Sequence, residues 1–204
     1  MEIGGLVAGL GNPGKRYLYT RHNCGFSFVE ALLSDSQKIL RIDDLGGQKF
    51  NCRLWRLYLL NLDAPWLCAC PLTYMNESGQ SLHSLLSWYK LNVEQMVVVH
   101  DELDLPCGIV RFKFGGGNAG HNGLRSIEQY TGSKDFYRLR IGIGKPGNKD
   151  EILNWVLGKP PVNELEKISQ SIKIGVDIFY TFCISGFQAA VKLARDLEKN
   201  ETKI

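Results

Sequence analysis

Four histidines, His22, His83, His100 and His121, are the side chains best able to move a proton near neutral pH in this chain of 204 residues. A histidine acting as a base is commonly oriented by a carboxylate on its second ring nitrogen. Asp101 is the best-placed acid. It lies just past the apolar run 96–99, a strand pattern buried on both faces, and strand ends cluster in α/β folds. His22 follows a turn and opens a helix. His83 sits beside Leu82 in an amphipathic helix and reads as a surface residue. His121 opens a helix after a glycine-rich loop, where capping or packing competes with chemistry. Asn12, Asn76 and Asn122 stand at element junctions. Taken singly they read as caps or turn formers. Gathered at the edge that holds His22 and Asp101, they would make a polar site whose neutral amides hold carbonyls and a water.

Other chemistries are less well supported. Neither a GxSxG nor an HExxH pattern occurs, which argues against an elbow serine hydrolase and a zincin. The run His100-Asp101-Glu102-Leu103-Asp104 could hold a hard cation, but Leu105-Pro106 suggests a turn and no second carboxylate cluster stands out. Two GxGxxG fingerprints follow strands, at Gly9-x-Gly11-x-x-Gly14 and Gly115-x-Gly117-x-x-Gly120. The first has Pro13 beside its last glycine and no helical periodicity directly after it. The second lacks the acidic residue expected about 20 positions on. An NAD(P)-binding oxidoreductase therefore stays an alternative only. The bland reading of the second loop is a phosphate-friendly turn at a helix amino terminus.

The elements that must position these residues follow from periodicity. Residues 3–10 form a first strand, 52–60 and 66–72 two more, and 109–114 and 139–143 two alternating or apolar runs. Helical spacing marks 26–33, a helix from about Asn76 through Tyr89, one over 120–130 ending at Gly132, and two helices after Pro160-Pro161, the last at 187–198. The order predicts one three-layer α/β/α domain over 1–204, with a mixed, centrally parallel sheet and C-terminal helices. Residues 159–204 form an appended helical cover, hinged at Lys159-Pro160-Pro161. The stretch 174–191 is the most membrane-like; with Asp177 inside it and lysines beside it, it reads as a packed helix. No signal-like amino terminus and no CxxC among the six cysteines point to reduced thiols and a cytoplasmic protein.

The net charge is only +3, too small to make the whole chain a nucleic-acid binder. Yet residues 111–149 carry eight Lys or Arg against two acids. Arg111 and Lys113 share one strand face, and Arg138 and Arg140 share another. Two such pairs beside a glycine loop could grip phosphates, or could be a solvated basic face.

These residues fall into blocks that resemble the bacterial-type peptidyl-tRNA hydrolase family. The blocks are 7–14 with Tyr17 and 20–23, then 71–79, 100–106, 115–123 and 138–144. They come in the family's order and spacing, while the C-terminal helices match loosely. The resemblance implies a hydrolase cleaving the ester between a peptide and the terminal ribose of tRNA, with no cofactor and no metal. It implies His22 as general base on water and Asp101 as the acid that orients it. Asn12, Tyr17, Tyr74, Asn76 and Asn122 would bind substrate, and Lys113 and Arg140 would clamp tRNA phosphate. His121 matches a site-lining histidine of open role. Asn118-Ala119 stands where members often carry His-Gly, and Cys24 where Val is common. A monomer without membrane or obligate protein partner is expected, and a non-catalytic RNA-binding module is the remaining alternative.

Overall fold

The computed structural model describes residues 2–201. Seven strands make one sheet: β1 (Gly5–Gly9), β2 (Ile39–Gly46), β3 (Cys52–Leu59), β4 (Trp66–Pro71), β5 (Met96–Glu102), β6 (Val110–Phe114) and β7 (Tyr137–Gly142). Their order is β2-β3-β4-β1-β5-β7-β6. β4, β1, β5 and β7 run parallel through the centre, and β2, β3 and β6 add antiparallel margins. The sheet is mixed and centrally parallel, as the alternation of elements implied.

Five helices cover it: α1 (Cys24–Leu33), α2 (Ser78–Tyr89), α3 (Asn122–Thr131), α4 (Ile152–Leu157) and α5 (Val162–Glu201). The pleat of β5 divides the core. Val97 and Val99 pack with Phe28, Val29, Ile172 and Phe179 of α1 and α5. Met96 and Val98 pack with Leu82, Leu85, Leu124 and Ile127 of α2 and α3. β1, β4 and the first four residues of β5 are buried on both faces and carry no polar side chain. β1 lies between β4 and β5, with α1 on one face and α2 on the other. The chain therefore reverses its winding at β1, and the carboxyl edge beside it is where open α/β sheets leave a crevice.

One close approach sets the geometry of that edge. A Cβ on Gly9 would lie 2.0 Å from the Gly25 carbonyl oxygen, and one on Gly25 would lie 2.5 Å from the Val99 carbonyl oxygen. Only glycines let the start of α1 press against the ends of β1 and β5. The first glycine fingerprint is thus a helix–sheet packing device.

Four features differ from the expectations. β5 runs on through His100, Asp101 and Glu102, so Asp101 lies inside the strand end. β2 reads weakly because none of its residues ILRIDDLG is buried and the strand is bulged against β3. α4 is a six-residue helix too short for a periodic signal. The two C-terminal helices form one element broken at Gly186 (φ 80°, ψ −179°), a conformation confined to glycine. α5 is long and apolar enough to cross a membrane by length and composition. In the structure it lies on the sheet, burying Ile168, Ile172, Val176, Ile178 and Phe179. Lys38 pairs with Asp177 at 2.9 Å, and the Tyr180 hydroxyl donates to the Leu60 carbonyl.

Candidate active site

The carboxyl edge brings His22 and Asp101 together. His22 sits in a short 3-10 turn (Arg21–Asn23) leading into α1, and Asp101 comes from β5 on the same side of the sheet. His22 Nδ1 lies 2.8 and 2.9 Å from the two Asp101 carboxylate oxygens. Because a carboxylate only accepts, Nδ1 carries the proton and Nε2 is left with its lone pair. Burial lowers the His22 pKa, but the charge and hydrogen bond of Asp101 outweigh it, and the net value is raised. Burial would raise Asp101, yet His22 and His121 together hold it well below the ordinary carboxylate range. Asp101 stays ionised with 2% of its surface exposed.

His121 is the second partner of that carboxylate. Its Nδ1 accepts from the backbone N–H groups of Gly123 and Leu124, capping α3. That fixes its proton on Nε2, which donates to Asp101 Oδ1 at 3.1 Å. The amino terminus of α3 is therefore filled by an imidazole and is not an open anion site, contrary to the bland reading of the glycine-rich loop. His100 lies on the opposite face of β5. Its Nδ1–H donates to the Asp101 carbonyl oxygen at 2.7 Å. Burial, and then His121, hold it well below the ordinary imidazole pKa. Cys24 is equally inert: burial, and then Asp101, push its thiol up.

Asn12 is oriented by backbone. The Met75 N–H donates to Asn12 Oδ1 at 2.8 Å, which leaves the amide N–H groups as donors. Asn23 fixes the Asn12 main chain on both sides, accepting from its N–H and donating to its carbonyl. Asn23 lies in the block 20–23. Its signal was that it neighbours a candidate base, and nothing in the sequence showed the reciprocal bonds. Asn122 opens α3 and lines a cleft of about 420 Å³ together with His22, Asp101, His121, Ile152 and Val156. Tyr17 is half-buried under Arg16, which lies over its ring. Tyr74 and Asn76 are exposed at the turn before α2. None of these three lines that cleft.

The α4 wall is tied to the His22 turn by Arg21, another residue the sequence did not single out. Its guanidinium stacks on Trp155 at 3.9 Å, donates to the Trp155 carbonyl, and pairs with Glu164 at 2.7 Å. The ligating atoms of His22, Asp101 and His121 lie within 4.8 Å of one another. A cation there would have to displace the protons that now join them.

The basic residues lie elsewhere on the sheet. In the β6–β7 pairing Lys113 stands opposite Arg138 and Arg111 opposite Arg140, so all four share one face, not two. Arg138 is fully buried and donates to the Gly116 and Gly117 carbonyls. Arg111 pairs with Glu198 of α5. Arg140 gives only Nε to Glu102, at 2.9 Å. Lys113 forms no ion pair among the described residues. Burial, and then Arg140 and Arg138, push its pKa down.

A doubly wound sheet with an acid-backed imidazole at its switch point is an arrangement able to make water nucleophilic by general base chemistry. The peptidyl-tRNA hydrolase family model matches residues 6–203, and the chain belongs to that family of ester hydrolases. A peptidyl-tRNA hydrolase of Desulfovibrio desulfuricans is 50% identical over 95% of this chain and 85% of its own. One from Lawsonia intracellularis is 42% identical over 99% and 98%. The crystal structure of peptidyl-tRNA hydrolase from Acinetobacter baumannii matches with a TM-score of 0.82 at 37% identity, covering 95% of this chain and 96% of that one. The dinucleotide alternative finds no support in these relatives.

Proposed function

We propose that His22, with Asp101 behind it, takes a proton from a water that attacks the ester carbonyl of peptidyl-tRNA. The observation that carries this reading is the bifurcated contact of His22 Nδ1 with both Asp101 oxygens, which leaves Nε2 to act as base. Asn122 lines the same cleft and holds the water. Asn12, with its oxygen occupied by Met75, offers its N–H groups to the carbonyl of the peptide's last residue. Tyr17, Tyr74 and Asn76 bind the substrate beyond that cleft. The developing oxyanion is stabilised by amide donors of the edge. The ribose oxygen then leaves, and an ester needs neither a covalent enzyme intermediate nor a cofactor for that step.

Lys113 and the free end of Arg140 hold tRNA phosphate. An ammonium that is partly buried and crowded by guanidinium groups gains from an anion, because the anion offsets the desolvation and then the repulsion that lower its pKa. Residues 159–204 act as a helical cover of a single domain. The protein works as a cytoplasmic monomer without a membrane or an obligate protein partner.

The test is release of N-acetyl amino acid from acylated tRNA, with and without EDTA, by the wild type and by His22→Ala. The wild type should turn over in chelator. The variant should lose about 10² to 10⁴ in kcat while still binding tRNA. Normal turnover by His22→Ala would remove the imidazole from the mechanism. RNA binding without peptide release by the wild type would leave a binding module.

A further inference from the structure

A second cleft, of about 320 Å³, shares Asn12 and Asn23 with the edge of the site. Two opposite charges line it. Arg53 comes from β3, opposite Cys70 on the face that α1 covers, with its guanidinium 5.6 Å from the Phe26 ring. Glu30 comes from α1 itself. Neither forms an ion pair among the described residues, and Arg53 Nε is buried without a hydrogen-bond partner. The rim carries Leu18, Tyr19 and Leu72, all exposed. Tyr19 is held at φ 62°, a region that costs a tyrosine backbone strain and is kept only where the surroundings impose it.

This combination selects a class of ligand. A carboxylate satisfying Arg53 would sit beside Glu30, and an ammonium satisfying Glu30 would sit beside Arg53. A neutral dipolar group answers both. A backbone amide does so with one acceptor and one donor fixed on opposite sides of a plane. The cleft falls in the ordinary size range of ligand sites and has an apolar rim for flanking side chains.

We propose that this cleft is a subsite for a peptide unit of the nascent chain, upstream of the residue esterified to tRNA. Its amide carbonyl accepts from the Arg53 guanidinium, and its N–H donates to the Glu30 carboxylate. The assignment rests on the proposed function and adds where the peptide runs and how it is held without regard to sequence. It makes chain length a determinant of turnover: a substrate with one acyl group cannot reach the cleft, and a longer peptide can.

The experiment compares kcat/KM for tRNA carrying N-acetylglycine with that for tRNA carrying N-acetyl-triglycine. It uses the wild type, Arg53→Met, which keeps an unbranched side chain without the charge, and Glu30→Gln on the exposed face of α1. The wild type should prefer the longer substrate. Each variant should lower the ratio of long to short by about tenfold, the worth of one charge-assisted hydrogen bond. An unchanged ratio in both variants, or a wild type with no preference for length, overturns the subsite while leaving the hydrolase reading intact. A wild type that cleaves neither substrate overturns both.

Discussion

The carboxyl edge and the β6–β7 face both look charged in the sequence, but they use charge in opposite ways. At the edge two imidazoles converge on one carboxylate, and each hydrogen bond fixes a proton: His22 on Nδ1, His121 on Nε2. On the β6–β7 face four cations gather, and most of them are spent inside the molecule. Arg138 holds the glycine-rich loop, Arg111 holds the end of α5, and Arg140 is half committed to Glu102. A dense charge count therefore marks a region that must be pinned as readily as one that must bind. A single well-paired acid says more about chemistry than eight basic residues do.

The sharpest way to break this contrast is Asp101→Asn. The amide would present an N–H to His22 Nδ1, favour the tautomer with its proton on Nε2, and so remove the base. The expected loss is about 10²-fold or more in kcat, larger than any change in KM. The pH dependence carries a sign. In the wild type Asp101 raises the His22 pKa, so activity should fall as pH drops through that raised value. In the variant burial remains and the raising charge is gone. Residual activity should persist to lower pH. An acid limb that stays where it was would mean that another group sets it.

Arg138→Met should act on the fold. It removes two charge-assisted bonds, at 2.6 and 2.7 Å, from a side chain with no exposed surface. A cost of about 2 kcal/mol is expected in chemical denaturation. The salt dependence of tRNA binding should not change, because this charge faces the loop carbonyls. A flattened salt slope with unaltered stability would place Arg138 among the binding residues.

What was legible in the sequence is uneven for physical reasons. The parallel centre of the sheet was readable because strands buried on both faces must be apolar throughout, as 96–99 is. The His22–Asp101 pair could be guessed because a helix start and a strand end share one edge of such a sheet. β2 was missed because its exposed margin carries no alternation. Arg111–Glu198 and Arg21–Glu164 join residues 87 and 143 apart, and no local pattern encodes a partner at that separation. The role of His121 was half visible: its position before α3 suggested a cap, but its second bond to Asp101 depends on the tertiary fold.

The smallest effect tests the basic face most directly. Lys113 is the one member of the four with neither an ion pair nor a hydrogen bond among the described residues. Lys113→Ala should weaken tRNA binding severalfold and reduce the slope of log affinity against log salt by about one. Arg111→Ala is its control. Arg111 stands one pair along the same strand but is already neutralised by Glu198, so its loss should free α5 while leaving the slope nearly intact. If the two variants flatten the slope equally, the Arg111–Glu198 pair opens when RNA binds and the whole face works as a cradle. If neither does, phosphate is held elsewhere, and the β6–β7 cations serve the fold alone.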